Sequence, residues 1–248
     1  MRFFAQGFSK YYDDFLAAHK GLNQNAIFAL ASTEMVKACV KVRDEHNIPI
    51  VACDLVGAEA GNPPIHFKEA YHFAKQNLMH SIVHAGEAYG AESIYQAVTE
   101  LDAERLGHGT MLFSKDGIKD PSIKNKAQFL QKLIQYIAER RITIEVCLTS
   151  NLQTVSQIKK IADHSFAEML AAGLSTAICT DNRTFSKTSM TKELMLAIQH
   201  FDLSRHNLRR ILIDSFAKSF MPINYLQKEL YLTKIEALCD ALINEYKY

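Results

Sequence analysis

SIVHAGEAYGAESI, residues 81–94, joins a strand pattern to a helix pattern across a polar break. The apolar pair Ile82-Val83 ends at His84, two small residues follow, and Glu87 stands just beyond them. Behind the break, Ile94, Ala97, Val98 and Leu101 fall at the i, i+3, i+4, i+7 spacing of one helix face. The stretch therefore reads as one βα unit. Its imidazole and its carboxylate sit where the strand gives way to a turn.

The same unit recurs on both sides. "IPIVACDLVGAE" reads as a strand over residues 48–55, broken at Gly57 with Glu59 beyond it. "AERLGHGT" is a short strand breaking at Gly107-His108-Gly109. A helix follows over 124–140, with Phe129, Leu130, Leu133, Ile134 and Ile137 on its apolar side. "ITIEVCLTSN" reads as a strand ending at Ser150-Asn151. After a helix over 166–172, "LSTAICTDN" reads as a strand ending at Thr180-Asp181-Asn182. From residue 192 onward the pattern is helical throughout. Leu208, Ile211, Leu212, Phe216, Leu238 and Leu242 form stripes that read as packing surfaces rather than as a partner interface.

Strands alternating with helices imply parallel βα units. The polar residues all follow their strands, and a (β/α)8 barrel carries its functional groups at that C-terminal face. A doubly wound sheet binds at one switch point, usually with a glycine-rich phosphate loop. Neither G-x-G-x-x-G nor G-x-x-x-x-G-K-[ST] occurs in the chain. The expected fold class is α/β, a (β/α)8, TIM-barrel-like arrangement in a single domain over 1–248. "MRFFAQGF" reads as a relic of an earlier strand, and "AIFALAST" as another strand or part of a helix. Even with both counted there are seven strands where closure needs eight, so the barrel is expected to be incomplete. An open barrel exposes strand edges, which predicts poor solubility or a compensating homo-oligomer.

Composition narrows the function. Lys and Arg number 28 against 27 Asp and Glu, a net charge of +1, which gives no basic excess for nucleic acid or a membrane surface. No apolar run approaches the ~18 residues of a membrane span, and "MRFFAQGFSKYYDDF" lacks the apolar core of a signal peptide. The five cysteines are far apart and include no C-x-x-C, so they read as reduced thiols in a cytoplasmic protein.

Two histidines, a glutamate and an aspartate at successive strand ends are suitable donors for zinc, which makes an activated water available near neutral pH. A nearby protonated carboxyl can then serve as acid to the substrate. No G-x-S-x-G elbow offers a serine nucleophile. Each group alone has an ordinary explanation: a structural histidine, a helix-terminus glutamate, an Asx-turn aspartate. Their conjunction in order is what carries weight.

"HAGE", "RLGHG", "EVCLTSNLQT" and "CTDNRTFSKTSMTKE", with "DLVGAE" before them and "IDSFAKSF" after, resemble the ordered motifs of the adenosine deaminase family. The resemblance covers about residues 34–232, leaving 1–33 poorly matched, with 203–248 as a helical C-terminal part. It implies zinc-dependent hydrolysis of adenosine or deoxyadenosine to the inosine product with release of ammonia. It implies that His84 and Asp181 are metal ligands, that Glu87 protonates purine N1 and that His108 steers the attacking oxygen. Gly57 would donate its N–H to purine N3, and Ser150 would orient the histidine from behind. Many members have a second aspartate where this chain has Asn182, whose NH2 can donate to purine N7. The H-x-x-E spacing without a Cys pair differs from the H-x-E and P-C-x-x-C of the cytidine-type deaminases.

One departure is larger. The family's first strand ends in H-x-H, which supplies two zinc ligands, and no H-x-H occurs in this sequence. The chain is thus expected to be an N-terminally shortened member with a weaker metal site. The alternatives are a catalytically impaired homologue that keeps a purine pocket, or an adenine or other aminopurine deaminase.

Overall fold

The structure, a computed structural model, describes residues 2–4 and 12–246, so residues 1 and 5–8 of "MRFFAQGF" lie outside the described residues. Two compact units are distinguished, Met1–Leu130 and Gln131–Tyr248.

The first unit begins with β1 (Arg2–Phe4), α1 (Tyr12–Ala18) and α2 (Gln24–His46). It continues with β2 (Ala52–Val56), α3 (Lys68–Gln76), β3 (His80–Ala85), α4 (Ala91–Thr99) and β4 (Arg105–His108). The strands pair in parallel and in chain order, β1 with β2, β2 with β3 and β3 with β4. Consecutive parallel strands with intervening helices are the winding of a barrel wall, not of a doubly wound sheet, whose order reverses. "AIFALAST" proves to be helix, within α2. Asn23 caps it, its Oδ1 accepting from the Ala26 N–H at 2.9 Å, and Asn47 ends it in a left-handed conformation (φ 51°).

The strand expected over 48–55 starts later, at Ala52. Pro49 has no N–H to give a ladder, and the Ile50 N–H donates locally to the Ile48 carbonyl at 2.7 Å. Along β3, Ser81, Val83 and Ala85 are buried while Ile82 and His84 are partly exposed, so the strand has two different faces. Buried Tyr71 of α3 donates its hydroxyl to the Ile82 carbonyl at 2.6 Å, and burial, with Asp54 next, pushes its pKa up.

The second unit holds β5 (Thr143–Val146), α6 (Leu148–Thr154), α7 (Phe166–Ala171) and β6 (Thr176–Ile178). After these come α8 (Arg183–Ser186), α9 (Met190–His200), α10 (Arg205–Ala217) and α11 (Tyr225–Glu245), while α5 (Lys126–Glu139) precedes β5. β5 and β6 are parallel, with Val146 opposite Ile178. The helical pattern from residue 192 is three helices rather than one run. Ser204 Oγ accepts from the Asn207 N–H, and Asn224 and Gln227 form a reciprocal capping box, so each helix has its own start.

Leu208 and Ile211 are buried as expected, but Leu238 and Leu242 are exposed. The reason is that α11 meets α10 through other residues: Arg209 clasps Asp240 with two bonds of 2.6 and 2.9 Å, and Phe216 lies against Tyr231. None of the residues of α11 is buried.

Candidate functional site

β3 and β4 bring two histidines together. The register sets His84 opposite Gly107 and Asp54 opposite Ile82, so Asp54 and His84 project to the same side of adjacent strands. The His84 ring lies over Gly107. A Cβ at position 107 would stand 2.6 Å from His84 Cδ2, which is why only glycine fits there. The next residue, His108, is 1 % exposed and has φ 68°, a left-handed conformation that turns its ring toward His84. The rings meet edge to face at 4.5 Å, and His108 Nε2 shares a 2.9 Å hydrogen bond with His84 Nδ1.

Two carboxylates flank the pair. Glu87 Oε2 is 3.6 Å from His108 Nε2, and Asp54 Oδ1 is 3.8 Å from His84 Nε2. Ligand atoms of His84, Glu87 and His108 all lie within 4.8 Å of one another, a nitrogen and oxygen donor set suited to a divalent metal. Asp54 also acts on its strand neighbours. Burial, with the Cys39 thiol and Asp54 adding, pushes the Cys53 thiol up to about 12.

The loop that carries Glu87 is held from two sides. Glu59, 7 % exposed, accepts from four successive backbone N–H groups: Gly86 at 2.6 Å, Glu87 at 2.9 Å, Ala88 at 2.5 Å and Tyr89 at 3.0 Å. The Gly86 carbonyl accepts from the Thr110 hydroxyl at 2.7 Å and the Met111 N–H at 2.9 Å. Gly86 has φ 73°, and a Cβ there would stand 2.5 Å from Ile94 Cδ1. Gly57, at the end of β2, is exposed with φ 117°. A cleft of about 730 Å3 lined by Tyr89, Glu92, Tyr95 and Phe129, among others, contains none of the predicted site residues.

In the second unit, Asp181 follows β6 with φ 51°, and the Ser150 hydroxyl donates to its Oδ2 at 2.7 Å. One expectation is corrected here. Ser150-Asn151 do not end a strand: β5 stops at Val146, and both residues lie in α6, where the Asn151 N–H donates to the Cys147 carbonyl at 2.8 Å. Ser150, expected behind a histidine, has Asp181 as its hydrogen-bond partner. Asn182 Oδ1 accepts from the Phe185 N–H at 3.2 Å, capping α8, so the NH2 is its outward donor. Fully buried Glu193 accepts from the Thr149 N–H at 3.1 Å and from the hydroxyls of Thr149 and Thr188. The motif's last acid is thus a clamp on the start of α6.

The predicted residues fall into two groups. His84, Glu87 and His108 converge in the first unit, with Gly57 on the neighbouring strand end; Ser150 and Asp181 are bonded in the second, with Asn182 next in sequence. Asp54 was missed. Its signal was an ionisable residue inside an otherwise apolar strand, which is costly without a partner. Glu59 was visible as a polar residue beyond its strand, but without a role.

The adenosine deaminase family model matches residues 17–236. The chain belongs to the adenosine deaminase family. It is 34 % identical over 197 residues to the adenosine deaminase of Mycobacterium avium, covering 79 % of this chain and 52 % of that protein. It therefore spans about half the length of the curated relatives it matches. A solved N6-methyl-AMP deaminase from Arabidopsis thaliana is 26 % identical with a TM-score of 0.66, over 88 % of this chain and 56 % of that one. An amidohydrolase from Burkholderia ambifaria, solved with bound Zn, has a TM-score of 0.70 at 20 % identity, over 86 % and 55 %. This last likeness shows the fold alone. It agrees with the α/β barrel-type winding, of which six strands are described here.

Proposed function

We propose that this family member deaminates a purine hydrolytically at C6, taking adenosine or deoxyadenosine to the inosine product with release of ammonia. The observation that carries the reading is the convergence of His84, Glu87 and His108 on the ends of neighbouring strands. Glu87, as its acid, delivers a proton to purine N1. That draws electron density from C6 and opens it to attack. His108, buried and bonded to His84, orients the incoming oxygen and balances the charge that develops on it. By the family's motif, the Gly57 N–H would donate to N3, and the Asn182 NH2 would have the task of donating to N7.

Zinc suits imidazole and carboxylate donors: His84 would hold it in the first unit, and the family's motif gives the same task to Asp181, whose carboxylate Ser150 holds. When bound, zinc supplies an activated water. Asp54, facing His84, adds a carboxylate to the same neighbourhood. The setting we infer is cytoplasmic, supported by five widely spaced cysteines without a C-x-x-C.

The test is the ultraviolet shift from adenosine to inosine with zinc added. Conversion supports the proposal, and none by a folded, zinc-loaded chain contradicts it. The missing H-x-H favours a second reading, a chain that binds purine without turning it over. Metal content far below one equivalent, with adenosine still bound, would select that reading. The Arabidopsis neighbour favours including N6-methyl-AMP in the substrate panel.

A further inference from the structure

We propose that Glu59 is a positioning residue whose carboxylate sets the height and direction of Glu87, and through it the spacing of two purine contacts. The inference rests on the reading of Glu87 as the proton donor. A buried carboxylate needs partners, and Glu59 takes them all from one place: the consecutive N–H groups of Gly86, Glu87, Ala88 and Tyr89. Four convergent amides form a backbone nest, and here the anion that fills it comes from the chain itself. Three of the four donate to the same oxygen, Oε2, which leaves little freedom for the loop to tilt.

The other end of Glu59 is equally fixed. Its own carbonyl accepts from the Asn62 N–H at 3.0 Å, and the Asn62 side chain donates to the Ala58 carbonyl at 2.9 Å, closing the turn that follows Gly57. The β2 turn and the β3 loop are thereby clamped as one body. N1 and N3 belong to the same six-membered ring, so the groups meeting them must keep a fixed separation. Gly57 lies two residues before Glu59, and the Glu87 N–H donates to the Glu59 carboxylate, so the clamp links the two. A shift of about 1 Å at such a position can cost roughly 10²-fold in rate.

The test is Glu59→Gln in the full chain with zinc present. The amide keeps the shape but turns an NH2 toward at least one of the donors. Amide hydrogen exchange by NMR is expected to speed up at least about tenfold at residues 86–89 and little elsewhere. The kcat for adenosine is expected to fall roughly 10²-fold with KM changed less than about threefold, since the substitution misplaces the proton donor without removing a binding group. Glu193→Gln, which loosens a different loop, is expected to leave exchange at 86–89 unchanged. Should Glu59→Gln not fold, Glu59→Asp, which keeps the charge but cannot reach the nest, is read in the same way. Wild-type exchange at residues 86–89 in the variant overturns the proposal, as does an unchanged kcat. If the unaltered chain turns over no purine, the deamination reading fails by itself. The exchange experiment then still decides whether Glu59 sets the loop.

Discussion

At the scale of the residue, two predicted site residues, His108 and Asp181, sit in left-handed conformations that side chains other than glycine seldom adopt. Such strain persists only where the surroundings impose it. For His108 the cause is visible: the turn aims a buried ring at His84, and Gly107 makes room for the ring that receives it. Gly107→Ala is expected to push the His84 ring out of place, destabilise the chain by about 1–3 kcal/mol and weaken metal binding. Thermal melting and metal titration would check this. Glu87→Gln is expected to abolish turnover with little loss of purine affinity, measured by kcat against direct binding.

Cys53 makes a prediction in pH. Its folded pKa is raised from 9.0 to about 12, so its contribution to stability is complete below pH 9 and is lost as pH rises toward 12, by about 1.4 kcal/mol per pH unit. Denaturant midpoints that fall over that window would match; a flat profile would not. His84, Glu87 and His108 were legible in the sequence because each follows an apolar run and breaks it. Asp54 and Glu59 were not. Asp54 is hidden inside a strand, and the partners of Glu59 lie 27 to 30 residues further along the chain, a distance no local pattern spans.

At the scale of the element, the caps decided where helices begin, and sequence patterns located bodies better than ends. The strand at "ITIEVCLTSN" was read too long because "CLTSN" continues the apolar run. In the fold, α6 begins directly after β5, and Glu193, more than forty residues away, clamps its first turn. The 48–55 strand was misplaced by Pro49, whose missing N–H the apolar pattern does not register. Asn182 joins element and function, because its oxygen caps α8 while its NH2 is assigned to the purine. Asn182→Ala is therefore expected to cost about 1 kcal/mol of stability, read by thermal melting, and to raise KM roughly 3- to 10-fold. Asn182→Asp keeps the capping oxygen and restores the family's common residue, so its stability is expected to match that of the unaltered protein.

At the scale of the whole molecule, the winding was legible because strands alternate with helices and polar groups gather after the strands. The exposure of α11 was not, since its leucines recur at helical spacing whether or not another surface covers them. Leu226, Leu230, Leu238 and Leu242 are all exposed, and exposed apolar surface of this kind favours self-association. Light scattering is expected to show a dimer or larger species, and a monodisperse, thermally stable monomer would count against it. The central claim is hydrolytic deamination by the His84, Glu87 and His108 cluster. Its most direct measurement is turnover of adenosine in 18O-enriched water by the zinc-supplemented chain and by Glu87→Gln. The account predicts inosine labelled with one 18O at C6, one ammonia for each inosine, and no product from the variant. Unlabelled product, undiminished turnover by the variant, or no turnover by a folded and metal-loaded chain would contradict it.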